Sequence, residues 1–148
     1  MKEQDWLKFI KQSPQIALEV VVWRTGKSDQ KEVLLIKRPP SDQYYGHLWH
    51  VPGTLLRNHE SFASGFKRLE KEEYRTKFKL RPRFITLKNL LHEPRGHELS
   101  LCFVAQLLGQ AKNGRWWPFG KLPKNLVHYH GKMIKTALDN LHTPQKHN

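Results

Sequence analysis

The chain has 148 residues, with 26 Lys and Arg against 13 Asp and Glu, a formal net charge of +13 and a single cysteine. At that length one domain is expected, able to bury roughly 70% of the surface its unfolded form exposes. No run approaches the ~18 consecutive apolar residues of a membrane span, and one cysteine excludes both a disulfide framework and a cysteine-based zinc site.

The start, MKEQDWLKFIKQ, carries acids and no apolar core, so it does not read as a signal peptide and a cytoplasmic, non-membrane protein is expected. A pI near 10.0 implies attraction to polyanions such as nucleotides or RNA without choosing among them. EQDWLKFIKQ, residues 3–12, has Trp6, Phe9 and Ile10 at helical spacing, and Pro14 closes it. IALEVVVWR and KEVLLIKR are rich in Val, Ile and Leu and flank the turn-forming TGKSDQ, so they read as two strands. KRPPSDQYYGHLW reads as loop, and WHVPG begins a short strand that turns at Pro52 and Gly53.

Residues 60 to 73, ESFASGFKRLEKEE, hold four of the thirteen acids: Glu60, Glu70, Glu72 and Glu73. Phe62, Phe66 and Leu69 recur at helical spacing, Ser61 suits a helix start, and no proline intervenes before Pro82, which predicts a helix from about 61 to 75. Glu72 and Glu73 then lie near each other at its far end. Clustered carboxylates repel unless a cation sits among them, and hard oxygen ligands suit Mg²⁺ or Mn²⁺. A solvated face laced by ion pairs such as Arg68 with Glu72 is the plainer alternative.

In RTKFKLRPR, Arg75, Lys77, Lys79, Arg81 and Arg83 alternate with other residues, which would place five cations on one side of an extended segment. Such a strand is either a charged, solvated edge or a rail for a phosphate backbone. FITLKNLLHE and ELSLCFVAQLL, joined by the turn-like PRGH, predict a long hairpin with Cys102 as an inert buried thiol. GRWWPFGKLP reads as irregular, and KNLVHYHGKMIKTALDNL as a final helix with Leu126, Tyr129, Met133, Ile134 and Leu138 on one side. On such a helix His128 and His130 point about 200° apart, so they would not chelate one metal.

LWHVPGTLLRNHESFASGFKRLEKEEYRT resembles the Nudix box, which reads Gly, five residues, Glu, seven residues, then Arg-Glu-apolar-any-Glu-Glu-any-Gly-apolar. Trp49, Pro52 and Gly53 match its lead-in, Glu60 its first Glu, Arg68 its Arg, and Glu72 and Glu73 its final pair. Gly65 stands where a small residue packs the helix on the sheet, and the resemblance covers most of the chain. It departs at Thr54 and Arg75, which replace glycines, and at Leu69 and Glu70, which reverse the expected Glu-apolar order.

The resemblance implies an α/β fold of the α+β kind: an α/β/α sandwich with a mixed sheet, a catalytic-type helix about 61–75 and a C-terminal helix. It implies a single Nudix-like domain over 1–148, with the helix at 3–12 appended and 143–148 a flexible tail. The implied activity is metal-dependent hydrolysis of a nucleoside diphosphate linked to another moiety. Glu60, Glu72 and Glu73 would hold Mg²⁺ or Mn²⁺, with Arg68 ordering the helix carboxylates and Glu70 a further catalytic candidate. Lys37 and Arg38, at the end of the second strand, are expected phosphate contacts, and Trp117 could stack on a base. Leu69 occupies the place of a family Glu that ligates metal or activates water. A base from a loop outside the box would compensate, and Glu93 and Glu98 flank the PRGH turn, although surface positions are the plainer reading of both. The alternative is a catalytically impaired module of the same fold that binds nucleotide or, weakly, RNA through its basic surface.

Overall fold

The computed structural model describes residues 1–141; the tail expected at 143–148 lies outside the described residues. In chain order the elements are α1 (Glu3–Gln12), β1 (Gln15–Thr25), a short 3₁₀ turn, β2 (Lys31–Lys37), β3 (Trp49–His50) and β4 (Gly53–Leu55). There follow α2 (Phe62–Leu69) with a π turn at Glu70–Tyr74, β5 (Arg83–Glu93), β6 (Gly96–Ala105), β7 (Arg115–Pro118) and α3 (His130–Asp139).

Continuous apolar runs give strands that bury both faces, and β1 and β2 do so here. Val21, Val33 and Leu35 point to one side, where Met133, Ile134 and Ala137 of α3 cover them. Leu18, Val20, Val22 and Leu34 point to the other, against Phe66 and Leu69 of α2. The sheet therefore lies between two helical layers. Its seven strands run β3-β2-β1-β6-β5, with β4 also pairing β1 and β7 also pairing β2. β1 and β6 run parallel, from Gln15 opposite Glu98 to Val22 opposite Ala105, and the other pairs are antiparallel, so the sheet is mixed as expected. The hairpin of β5 and β6 forms as the sequence predicts, and Cys102 is buried.

Four segments differ from expectation, each for a local reason. α2 starts on the Ser61 hydroxyl, which accepts the Ser64 N–H at 3.1 Å, but its α-helical turns stop at Leu69. Leu69 is 1% exposed, and regular spacing would carry Glu72 or Glu73 into the core three or four residues later. One wider π turn delivers Tyr74, fully buried, in their place. Arg75 then adopts left-handed backbone at φ 53°, and the basic segment after it is not a strand. Only Lys77 to Lys79 pair with Gln106 to Leu108, and Leu80 is 76% exposed, so the two-residue alternation of the sequence does not become a flat charged edge.

Arg115–Pro118, read from sequence as irregular, is β7: it pairs with β2, placing Trp117 opposite Val33. The last helix begins at His130, six residues later than expected from Lys124. Trp49 takes the backbone of the intervening segment, donating its N–H to Asn125 O at 2.8 Å and accepting from Val127 N at 2.9 Å. Leu126 and Tyr129 are consequently loop residues, while Met133 and Ile134 fill the core.

The rotation of α2 about its axis is open to a stability test. Leu69→Ala should destabilise the fold by about 2–5 kcal/mol, as truncation of a buried Leu does. Glu72→Ala, at an exposed position, should change stability by less than about 0.5 kcal/mol in the same urea titration.

Candidate active site

The loop from β4 to α2 is held by one side chain. Arg68 Nε donates to Glu60 Oε1 at 3.0 Å and its Nη2 to Glu60 Oε2 at 2.8 Å, with further bonds to Leu55 O at 3.0 Å and to the Thr54 hydroxyl. Glu60 also accepts the Arg57 N–H at 2.9 Å. Arg68 above all, with that N–H, brings the Glu60 pKa down to about 2. Thr54, where the box has glycine, thus has a use as a partner of Arg68. Gly53 is required by proximity: a Cβ there would lie 2.8 Å from Glu19 Cγ and 2.9 Å from Leu18 O. Gly65 likewise brings α2 against Leu18, whose Cδ1 would be 2.7 Å from an added Cβ.

The box residues separate into different surroundings. Glu60 is taken by Arg68, Leu69 is in the core, and Glu70 accepts the Phe78 N–H at 2.6 Å and so ties the helix to the following loop. Glu72 is exposed and Glu73 is half-buried. Burial pushes the Glu73 pKa up, and the Glu72 carboxylate adds to this, while Arg38 pulls the other way. The expected trio of Glu60, Glu72 and Glu73 is not assembled, and among the described residues no group of three or more His, Cys, Asp or Glu is placed to hold a metal ion. Two carboxylates remain.

Arg38, just past β2, whose charge acts on Glu73, lines a polar cavity of about 110 Å³. Its walls include Arg38, Tyr45, His50, Arg95, Tyr129 and Glu19. Arg38 lies 3.6 Å from Asp42, whose carboxylate also accepts the N–H groups of Tyr44 and Tyr45 and so shapes the loop. The Tyr45 ring has Arg38 Cζ 6.0 Å from its centre and Arg95 Cζ 5.6 Å from it, and its hydroxyl donates to Glu93 at 2.7 Å. Arg95 in turn pairs with Glu98 at 3.0 Å, so both acids that flank the PRGH turn are internal ligands of other side chains. His128 pairs with Glu93 at 2.9 Å.

Glu19 is the floor of the cavity and is 6% exposed. Burial alone would raise its pKa, but His130 and the hydroxyls of Ser100 and Tyr129 more than offset it and hold the carboxyl below its ordinary value. His130 Nδ1 accepts the Val51 N–H at 2.9 Å, so the proton sits on Nε2, facing Glu19 at 2.9 Å. Burial, then the charge of Arg38, push His50 down to about 3, which keeps that ring neutral.

Of the expected substrate contacts, only Arg38 lines this cavity. Lys37 Nζ lies 5.8 Å from the Trp49 ring centre, and Trp117 meets Trp49 edge-on at 5.3 Å with Arg115 over its own ring at 4.5 Å. Glu19, His50, Tyr45 and Arg95 are residues that sequence reasoning missed. The one available signal was Glu19 itself, a lone acid inside the apolar run IALEVVV, since a buried charge demands partners.

A NUDIX domain model matches residues 15–137. The chain belongs to the NUDIX family. Among solved structures it is similar to a MutT NUDIX hydrolase from Burkholderia pseudomallei, with TM-score 0.71, 18% identity, and 84% of this chain and 98% of that one covered. It is also similar to the NUDIX domain of Shewanella oneidensis NrtR complexed with ADP ribose, with TM-score 0.70, 20% identity, and 95% and 99% covered. A MutT/nudix family protein from Enterococcus faecalis gives 0.70, 19%, and 95% and 69%. No curated protein sequence matches. In NUDIX terms, α2 is the box helix, and Glu60 and Arg68 are its internal brace.

The raised pKa of Glu73 has a measurable sign. The fold favours its protonated form, so a penalty appears as pH climbs through the ordinary carboxylate range and persists above it. Without metal, Glu73→Gln should melt higher than the parent at pH 7 and equally below about pH 4. A parent that is the more stable at pH 7 would contradict this.

Proposed function

We propose that this NUDIX protein hydrolyses a nucleoside diphosphate linked to another moiety, with Glu72 and Glu73 holding Mg²⁺ or Mn²⁺ in company with the substrate's phosphates. The observation that carries the reading is Glu73, a half-buried carboxylate that feels the charges of Glu72 and of Arg38, the arginine that lines the polar cavity. Membership of the family supports pyrophosphohydrolase chemistry, and the NrtR domain that holds ADP ribose supports the ligand class.

Two carboxylates suit a cation that keeps its water and completes its shell with phosphate oxygens, which is how Mg²⁺ is commonly bound. When bound, the cation would neutralise the diphosphate and lower the pKa of a coordinated water. Arg38 would add a fixed positive charge on the phosphates. Arg68 and Glu60 would act by holding α2 in place. Glu70, tied to the Phe78 N–H, would fix the end of the helix.

A panel of nucleoside diphosphate compounds with Mg²⁺ or Mn²⁺, scored by released phosphate or monophosphate, tests the proposal. At least one compound should turn over, Glu73→Gln should reduce turnover to background, and Arg68→Ala should lower it about 10–100-fold. Because substrate completes the shell, Mg²⁺ alone should raise the melting temperature far less than Mg²⁺ with the responsive nucleotide. Leu69, in the core where the family has a Glu, favours a second reading, a module that binds nucleotide without cleaving it. Metal-dependent nucleotide binding with no turnover across the panel would establish that reading instead.

A further inference from the structure

Six cations, Lys67, Lys71, Arg75, Lys77, Lys79 and Arg81, are exposed along the outer side of α2 and the loop after it. Among the described residues none of them pairs with a carboxylate. Glu70, the one acid that lines the same hollows, is committed to the Phe78 N–H.

The surface they share is concave. A hollow of about 610 Å³ is lined by Lys67, Glu70, Lys71, Arg75, Thr76 and Lys77. Lys67 and Glu70 also border a second hollow, of about 300 Å³, which has Phe66, Phe78 and Pro82 in its wall. Lys79, Leu80 and Arg81 belong to that one and to a third of about 220 Å³, where Trp23 and Val104 lie. The first two hollows share Lys67 and Glu70 and make one groove, whose larger part is lined by charged and polar side chains alone and whose apolar wall belongs to the second; the third lies across the loop 79–81, on the sheet face where Trp23 and Val104 pack with α3. Neither Glu72, Glu73 nor any wall of the polar cavity lines it.

We propose that this groove binds single-stranded nucleic acid, with backbone phosphates along the six cations and bases against Leu80 and the wall of Phe66, Phe78 and Pro82. Phosphates spaced along a strand match a line of unpaired cations, and unpaired bases supply the flat apolar faces that such a wall can cover. A duplex hides those faces. An anionic bilayer needs a broad set of projecting apolar side chains; of those that line the groove Phe66 and Phe78 are recessed and Leu80 projects at 76% exposed, joined beyond its wall by Leu108, paired beside Lys77, at 70%. The proposal does not rest on hydrolysis, because the two sites share no residue.

The test measures the affinity of a labelled RNA of about 20 nucleotides from about 50 to 200 mM salt. The triple variant Lys77→Gln, Lys79→Gln, Arg81→Gln is compared with Lys124→Gln, Lys132→Gln, Lys135→Gln, which removes as many exposed charges elsewhere. Since each phosphate contact on a single strand contributes about 0.7 to the slope of log affinity against log salt, the groove triple should flatten it by about 2 and weaken binding about tenfold or more. The control triple should leave the slope unchanged. Lys67→Gln on α2 with Lys71→Gln on its π turn should flatten it by about 1 and serves if the loop triple does not fold. Equal losses in the groove and control triples would overturn the proposal. So would duplex RNA binding as tightly as single strand, or phosphatidylserine vesicles binding through the groove while RNA affinity is unmoved by the substitutions.

Discussion

Arg68 is the side chain on which the geometry of the site depends. Its guanidinium reaches a backbone carbonyl and a hydroxyl on β4 and a carboxylate on the segment between β4 and α2. Arg68 and Glu60 are both largely withdrawn from water, so each would leave the other a poorly compensated charge if it were lost. The brace fixes where α2 begins relative to β4. From that follow the close approach of Gly53 to β1 and of Gly65 to Leu18, and with them the side on which Glu73 emerges.

The π turn solves a conflict that the brace creates. With α2 pinned and Leu69 committed to the core, a regular helix would turn acid toward Leu18 and Val20. Burying an unpaired carboxylate there is far more costly than one wide turn. The extra residue rotates Glu72 and Glu73 outward and lets Tyr74 close the apolar layer, where its ring meets Phe78 edge-on at 5.4 Å. Phe78 in turn is fixed by the Glu70 carboxylate. The acid that sequence order alone would make catalytic thus has a structural task, and the basic loop takes its course from it.

Most of the scaffold was legible because each strand or helix carried its own period. β1, β2, the β5–β6 hairpin and α1 all lie where their apolar patterns placed them. The errors fall where long-range pairing overrides local pattern. Trp49 takes residues 125–127 out of a helical run, and β2 draws Arg115–Pro118 into the sheet, and neither contact has a trace in the local sequence. The box spacing located Arg68, Glu60 and the helix carboxylates, but spacing does not say which carboxylate Arg68 will take. The cavity was illegible for a related reason: Glu19, Tyr45, Arg95 and His130 come from four distant parts of the chain and meet only through topology.

The way hydrogen bonds are distributed distinguishes the brace from the cavity beside it. Around Arg68 the donors have partners, which suits an element that must not move. Glu19, although buried, is saturated too, by a histidine and two hydroxyls. Arg38 and Arg95 differ, since each keeps a buried Nε without a partner among the described residues, and both line the cavity. Leaving such donors unmet costs free energy that packing elsewhere must offset. Glu73, held above its ordinary pKa chiefly by burial, is a further group whose charge the fold leaves undercompensated. Of the three buried donors left unpartnered among the described residues, the two on arginines thus face one cavity, where a ligand offering acceptor oxygens would satisfy both at once.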